Sequence, residues 1–374
     1  MISDRCLWCG EGVRAWRDGE DVRRHGSAAA ARVPIGHALR ISIEGQDMKK
    51  LSVALGEHPH ARALLTGEAA VEGYRVEPVE VRPIIGAYRR MIRDLEFDVC
   101  ELAPVSYLMA RQEGIPLTAV PVFLNRRFHH GDVQCATDSG IRLPSDLEGR
   151  RVGVRAYSVT TGVWVRGVLQ GEYGVNNEKI TWVVDDDDHI EGRAPRNVER
   201  VTDGRSLGEL LKVGEIDAAF TGNAGTGRAG APREGWAAAV ADPPRDGGGP
   251  YPLFPDADVL AVDWYLRTGI YPCHSLIALR SDLVESDPGL PTALYAAFAE
   301  SKRLQVAADP GWTALPRFAR QERQITGDPV PYGVEANEPT VRALVRFAQE
   351  QGLLDAGFSA DPADLFAAGD YPSA

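Results

Sequence analysis

Arg151-Val152-Gly153-Val154, a stretch over about Thr160–Tyr173, and then Ile180–Val184 form the run that decides the fold. The two short apolar segments read as strands and the segment between them as a helix, which is βαβ logic. C-terminal to it, a helix near Leu207–Val213 leads to a strand over Ile216–Thr221. N-terminal to it lies an earlier series, with strands at Met48–Leu55, Tyr74–Val81, Phe97–Glu101 and Leu117–Phe123 and helices near Ile84–Leu95 and Val105–Gln112. The chain then returns through a strand at Ser275–Leu279 and helices around Pro291–Gln305 and Pro339–Gln351.

Two α/β series with a late return imply two lobes, each too small to hold all 374 residues in one core. Lobe one takes roughly residues 48–128 plus 274–374, and lobe two roughly 130–262. Two crossings between them form a hinge, and Gly222–Pro232 and Asp242–Pro252 read as surface loops of lobe two. Ligands of open α/β sheets collect beyond the carboxyl ends of strands, and here those ends face each other across an inter-lobe cleft.

The composition narrows the partners. A net charge of -12 repels nucleic-acid backbones, and no apolar run is long enough to span a bilayer, so neither nucleic acid nor membrane is expected. A small anionic ligand remains compatible where arginines converge locally. Residues 1–47 lack sustained periodicity and read as a flexible extension ahead of a body that starts near Met48. They also lack the apolar core of a secretory signal, and five scattered cysteines fit a reducing compartment, so the expected location is cytoplasmic. Cys6 and Cys9 form a C-x-x-C without a second ligand pair and read as incidental.

Several landmarks go beyond these patterns. They are Phe97-Asp98-Val99-Cys100-Glu101, Ala119–Phe123 with Arg126, Phe128 and His130, Val163-Trp164-Val165-Arg166-Gly167, Arg267-Thr268-Gly269-Ile270-Tyr271-Pro272, and Pro331-Tyr332-Gly333-Val334-Glu335-Ala336-Asn337. On them the chain resembles the 4,5-dihydroxyphthalate decarboxylase family from about Leu51 to Leu365. That resemblance implies a two-lobed α/β fold of the periplasmic-binding-protein type 2 and a carboxy-lyase acting on a hydroxylated aromatic or related cyclic carboxylate, in catabolism or specialised metabolism. Departures fall at Pro59-His60-Ala61-Arg62, where only the last of the family's arginines remains, at Ser275, with His274 one place before, and at Thr221-Gly222-Asn223. Each lies where a cleft wall is expected. Two alternatives stay open: another lyase on this fold, such as a dehydratase, and a non-catalytic solute-binding protein or sensor.

Such a decarboxylation needs a carboxylate anchor, a base for a ring hydroxyl and an acid for the carbon that loses CO₂. The phenolate stores the charge, so no cofactor is obligatory. Arg126 is the expected anchor, with Arg62 as a second arginine. His130 is the expected proton donor, His129 is its neighbour, and His60 or His274 is placed to share the acid–base work. Thr160 and Thr161 at a helix N-terminus suit an anion. Tyr157 and Trp164 could stack on an aromatic ring, and Asn223 belongs to the altered wall. Histidines from these segments could also hold a divalent ion. Asp185-Asp186-Asp187-Asp188-His189 reads as a solvated acidic loop. Association into a homo-oligomer is left open.

Overall fold

A computed structural model describes residues 48–229, 237–238, 249–325 and 327–374. The expected extension over residues 1–47, with Cys6 and Cys9, lies outside them, as do parts of the two expected surface loops of lobe two.

In chain order the first strands are β1 (Lys49–Ala54), β2 (Tyr74–Pro78), β3 (Val99–Leu102) and β4 (Leu117–Arg126). The chain then crosses to β5 (Val133–Cys135), β6 (Arg151–Gly153), β7 (Thr181–Val184), β8 (Val198–Arg200), β9 (Ala218–Phe220), the short β10 (Arg228–Ala229) and β11 (Ala237–Ala238), and β12 (Tyr251–Pro252). It returns as β13 (Cys273–Arg280). One sheet has the order β2-β1-β3-β13-β4 and the other β12-β5-β9-β6-β7-β8. In the first, β13 runs antiparallel to both β3 and β4 while β1 pairs parallel with β2 and β3. In the second, β6, β7, β8 and β9 are parallel and β5 is antiparallel to β9. Each sheet thus receives one reversed strand beside a chain crossing, and the molecule is a two-lobed α/β protein of the periplasmic-binding-protein type.

The sheets are fixed by burial on both faces. Every residue of β3 is buried, and all of β4 but Asn125. Near-continuous apolar strands of this kind are what helices on both faces require. The helix Thr160–Tyr173 is buried from Thr160 through Leu169 and ends at Gly174, whose φ of 66° supplies a left-handed cap. Gly167 lets the helix Glu338–Glu350 approach it: a Cβ there would lie 2.1 Å from Cδ2 of Phe347. The late helix therefore packs against the helix Thr160–Tyr173 and also meets the helix Pro104–Gln112.

Candidate active site

The carboxyl ends of β1, β3, β4, β6, β7 and β9 open onto one cleft of about 530 Å³. Lobe one contributes His58, Tyr88, Glu101 and Ser106; the second wall holds Arg127, Asp132, Arg155, Ser158, Thr160, Thr161, His189 and Asn223, with His274 and Arg317 from the returning chain.

On the lobe-one wall, Glu101 is 2% exposed. Its Oε2 accepts from the Gly56 N–H at 2.8 Å and lies 2.9 Å from Nε2 of His58, and its Oε1 accepts from the Tyr88 hydroxyl at 3.3 Å. A side chain at position 56 would come within 3.0 Å of that carboxylate, so glycine lets the backbone reach it. Burial pushes the Glu101 pKa up, but the attraction of His58 and these hydrogen bonds outweigh burial and bring it down to about 2. An ionised Glu101 thus fixes the His58 ring through Nε2 and leaves Nδ1 for proton exchange.

The opposite wall is a connected polar chain. Nη1 of Arg127 donates to both Asp132 oxygens at 2.5 and 2.6 Å, and Nη2 donates to the Thr161 hydroxyl at 3.2 Å. That hydroxyl lies 2.8 Å from Nε2 of His274, and Nδ1 of His129 lies 2.7 Å from Asp132. Burial raises the Asp132 pKa, yet Arg127 and His129 together lower it to about 2. Burial, then Arg127, then His129 push the His274 pKa well below the ordinary value, and burial and Arg127 bring His129 down to about 4. At neutral pH the wall therefore holds one ion pair and two neutral imidazoles, with Nε2 of His274 beside the Thr161 hydroxyl.

Arg155 is buried beside Asp186 at 3.7 Å, and Arg127 and Arg317 line the same cleft. The start of the helix Thr160–Tyr173, which no side chain caps, lines the same space through Thr160 and Thr161. The Thr160 hydroxyl is buried and has no hydrogen-bond partner among the described residues. Guanidinium groups, a helix N-terminus and a spare hydroxyl together make a site for an anion.

Of the residues expected from sequence, Thr160, Thr161, Asn223 and His274 line the cleft. The others do not. Arg126 is fully buried behind β4, donates to the Tyr271 carbonyl at 2.7 Å, and sits between the Phe123 and Tyr271 rings. Successive strand residues face opposite sides, and Arg127 has the cleft side. His130 packs against Phe254 and Trp264, and burial lowers its pKa to about 4. His60 is enclosed by Trp312, Phe318 and Tyr332, two residues beyond the histidine that reaches the cleft. Arg62 is exposed at the start of the helix Arg62–Thr66. Tyr157 is covered by the Arg166 guanidinium at 4.0 Å, and Trp164 donates to the Cys273 carbonyl at 2.9 Å. Both are packing residues around the Thr160–Tyr173 helix.

The acidic run is also different from a solvated loop. Asp188 accepts from the backbone N–H and the hydroxyl of Ser158 at 2.7 and 2.6 Å, Asp186 is buried against Arg155, and His189 meets Ser106 at 3.0 Å. It shapes the cleft wall instead. The sequence reading missed Glu101, Arg127, Asp132, Arg155 and Arg317 as site residues. Position just after a strand was the available signal for Arg127 and Arg155, and position near a strand's carboxyl end for Glu101. Among the described residues no three His, Cys, Asp or Glu side chains are grouped so as to hold a metal ion.

A family model described as NMT1/THI5 like matches residues 87–222. Two solved structures resemble this one at 13% identity: a putative periplasmic sulfonate-binding protein SsuA from Methylobacillus flagellatus KT, with a TM-score of 0.48 over 86% of this chain and 92% of that one, and the alkanesulfonate-binding protein SsuA from Xanthomonas axonopodis pv. citri, with 0.47 over 86% and 98%. Two characterised relatives are much nearer in sequence. The 4,5-dihydroxyphthalate decarboxylase of Pseudomonas putida is 33% identical over 178 residues, 45% of this chain and 68% of its own length. That of Comamonas testosteroni is 33% identical over 337 residues, covering 85% of this chain and 96% of its own. By that near-complete match the chain belongs to the 4,5-dihydroxyphthalate decarboxylase family.

Proposed function

We propose that this chain is a cofactor-independent decarboxylase of a hydroxylated aromatic carboxylate, with His58 as the acid and His274 as the base. The observation that carries the reading is the facing of a Glu101-fixed His58 against an arginine-bearing wall that contains a neutral histidine. Arg127, Arg155 and the Thr160–Thr161 helix start hold the substrate's carboxylate. His274 takes the proton of a hydroxyl para to it, and the electron pair moves into the ring. His58 protonates the ring carbon bearing the carboxylate, the carbon–carbon bond breaks, and CO₂ leaves with the aromatic ring restored. The ring oxygen gives up its electron pair when the carbon is protonated and takes it back as CO₂ leaves, so the scheme routes no step through a metal or organic cofactor. A cytoplasmic setting fits the free thiols of Cys100, Cys135 and Cys273.

The test is incubation of the purified chain with 4,5-dihydroxyphthalate and with single-carboxylate dihydroxybenzoates, following CO₂ and ring absorbance. Loss of one CO₂ per substrate, abolished in His58→Asn, is the expected result. A changed spectrum without CO₂ would replace the scheme with another lyase reaction, and tight binding without change would make the chain a binding protein.

A further inference from the structure

The reaction just described consumes a proton. ArCOO⁻ plus H⁺ gives ArH plus CO₂, while the phenolic proton lent to His274 returns to the product oxygen. His58 therefore ends every cycle one proton short, and with only 13% of its side chain exposed it has little direct contact with bulk water.

Behind His58 lies a line of buried polar groups that the cleft does not use. The His60 ring is 5.5 Å from that of His58, centroid to centroid. It is 0% exposed, and neither of its nitrogens completes a hydrogen bond among the described residues, although the Leu124 carbonyl approaches. The edges of Trp312 and Phe318 wall it in at 5.8 and 5.7 Å, and the Tyr332 ring follows at 6.5 Å. The Tyr332 hydroxyl is likewise buried and unpartnered. Nζ of Lys302 sits 4.7 Å from the Tyr332 ring centre and pairs with Asp328, which is 37% exposed. Lys302 and Asp328 line a second cavity, of about 940 Å³, separate from the cleft. Arg126, whose charge acts on both Tyr332 and Lys302, adds two unpartnered N–H groups at Nε and Nη2.

Buried polar atoms left unpaired are costly, and where several gather they are satisfied by ordered water. We propose that His60 and Tyr332, joined by internal water, form a proton-return path that runs from the Lys302–Asp328 pair to His58. Imidazole suits this because it accepts at one nitrogen and releases at the other. Burial, with His58 and Lys302 nearby, lowers the His60 pKa to about 3, so the ring passes a proton without keeping it. The path takes its purpose from the decarboxylase reading.

Tyr332→Phe removes one unpartnered oxygen and little else, and His60→Phe interrupts the line at its centre. With enzyme in excess, the first turnover of Tyr332→Phe is expected within ~2-fold of wild type, because the first turnover does not draw on the return path. Steady-state kcat is expected to fall ~10-fold or more in both variants and to recover in imidazolium buffer. Wild-type steady-state rates in both variants overturn the proposal, as does a first turnover slowed as much as later ones, which marks a structural role. A second measurement needs no turnover. In ¹⁵N-histidine spectra of the full chain, a hydrated His60 exchanges its ring N–H with water rapidly; protection for hours overturns the path whatever the activity. Rapid exchange in a wild-type chain that releases no CO₂ keeps the path and removes the decarboxylase reading.

Discussion

Replacing Glu101 by Gln keeps the side chain's shape and removes its charge. The pKa of Glu101 falls from 4.5 to about 2 in the folded protein, a depression equivalent to about 3 kcal/mol of native-state stability for a group that is almost wholly buried. A depressed carboxylate stabilises fully above its unfolded pKa and loses that contribution as pH falls through the folded one. The window is therefore about 4.5 down to about 2. Between pH 7 and pH 3 the linked loss comes to roughly 2 kcal/mol, because by pH 3 the unfolded carboxyl is almost entirely protonated and the folded one is not. Urea unfolding of wild type and Glu101→Gln at pH 7, 5 and 3 measures this directly. The variant is expected to be about 3 kcal/mol less stable at pH 7, with the gap shrinking by more than half at pH 3. With His58 no longer fixed, kcat is expected to fall by about 10²-fold. A gap that stays constant with pH would refute the argument that His58 and the Gly56 N–H hold an ionised carboxylate.

Arg127→Ala removes a substrate anchor and is expected to raise KM by about 10–100-fold, with Arg127→Lys recovering only part of it, since a single ammonium cannot serve Asp132 and Thr161 together. Steady-state kinetics on the carboxylate substrate would show the assignment to be wrong if KM stayed put. Thr160→Val deletes a buried hydroxyl with no partner among the described residues, so ligand affinity is expected to drop by about 10-fold while the melting temperature of the free protein does not fall. A lower melting temperature with unchanged affinity would give that hydroxyl a structural role. Gly167→Ala places a methyl 2.1 Å from Phe347 and is expected to cost about 1–3 kcal/mol; calorimetry showing no change would mean that the helices separate without strain.

Long elements were legible because their burial is expressed locally. The helix expected over Thr160–Tyr173 has those bounds, and the strand expected at Met48–Leu55 forms over Lys49–Ala54. The helix Ala257–Thr268 was not expected. Its Val259 and Leu266 are 69% and 72% exposed, so apolar residues on its outer side blur the periodicity that would reveal it. The three-residue strands β5 and β8 exist through pairing with β9 and β7 and carry no pattern of their own.

What the sequence determined by itself was the two-lobed α/β class, the family landmarks, and the neighbourhoods of the site: the segment after β1, the first crossing, the helix beginning at Thr160, and the return near Cys273. Which residue of each neighbourhood meets the ligand was decided only by the tertiary structure. The cleft takes Arg127 and leaves Arg126 behind the sheet, takes His58 and encloses His60, and takes His274 while Ser275 is buried. A one-residue shift turns a strand side chain to the opposite face, and β13 pairs with β4 through register shifts on either side of Ser275. Facing is therefore set where the chain leaves regular structure at the hinge, by contacts among segments more than a hundred residues apart, and no local pattern records it.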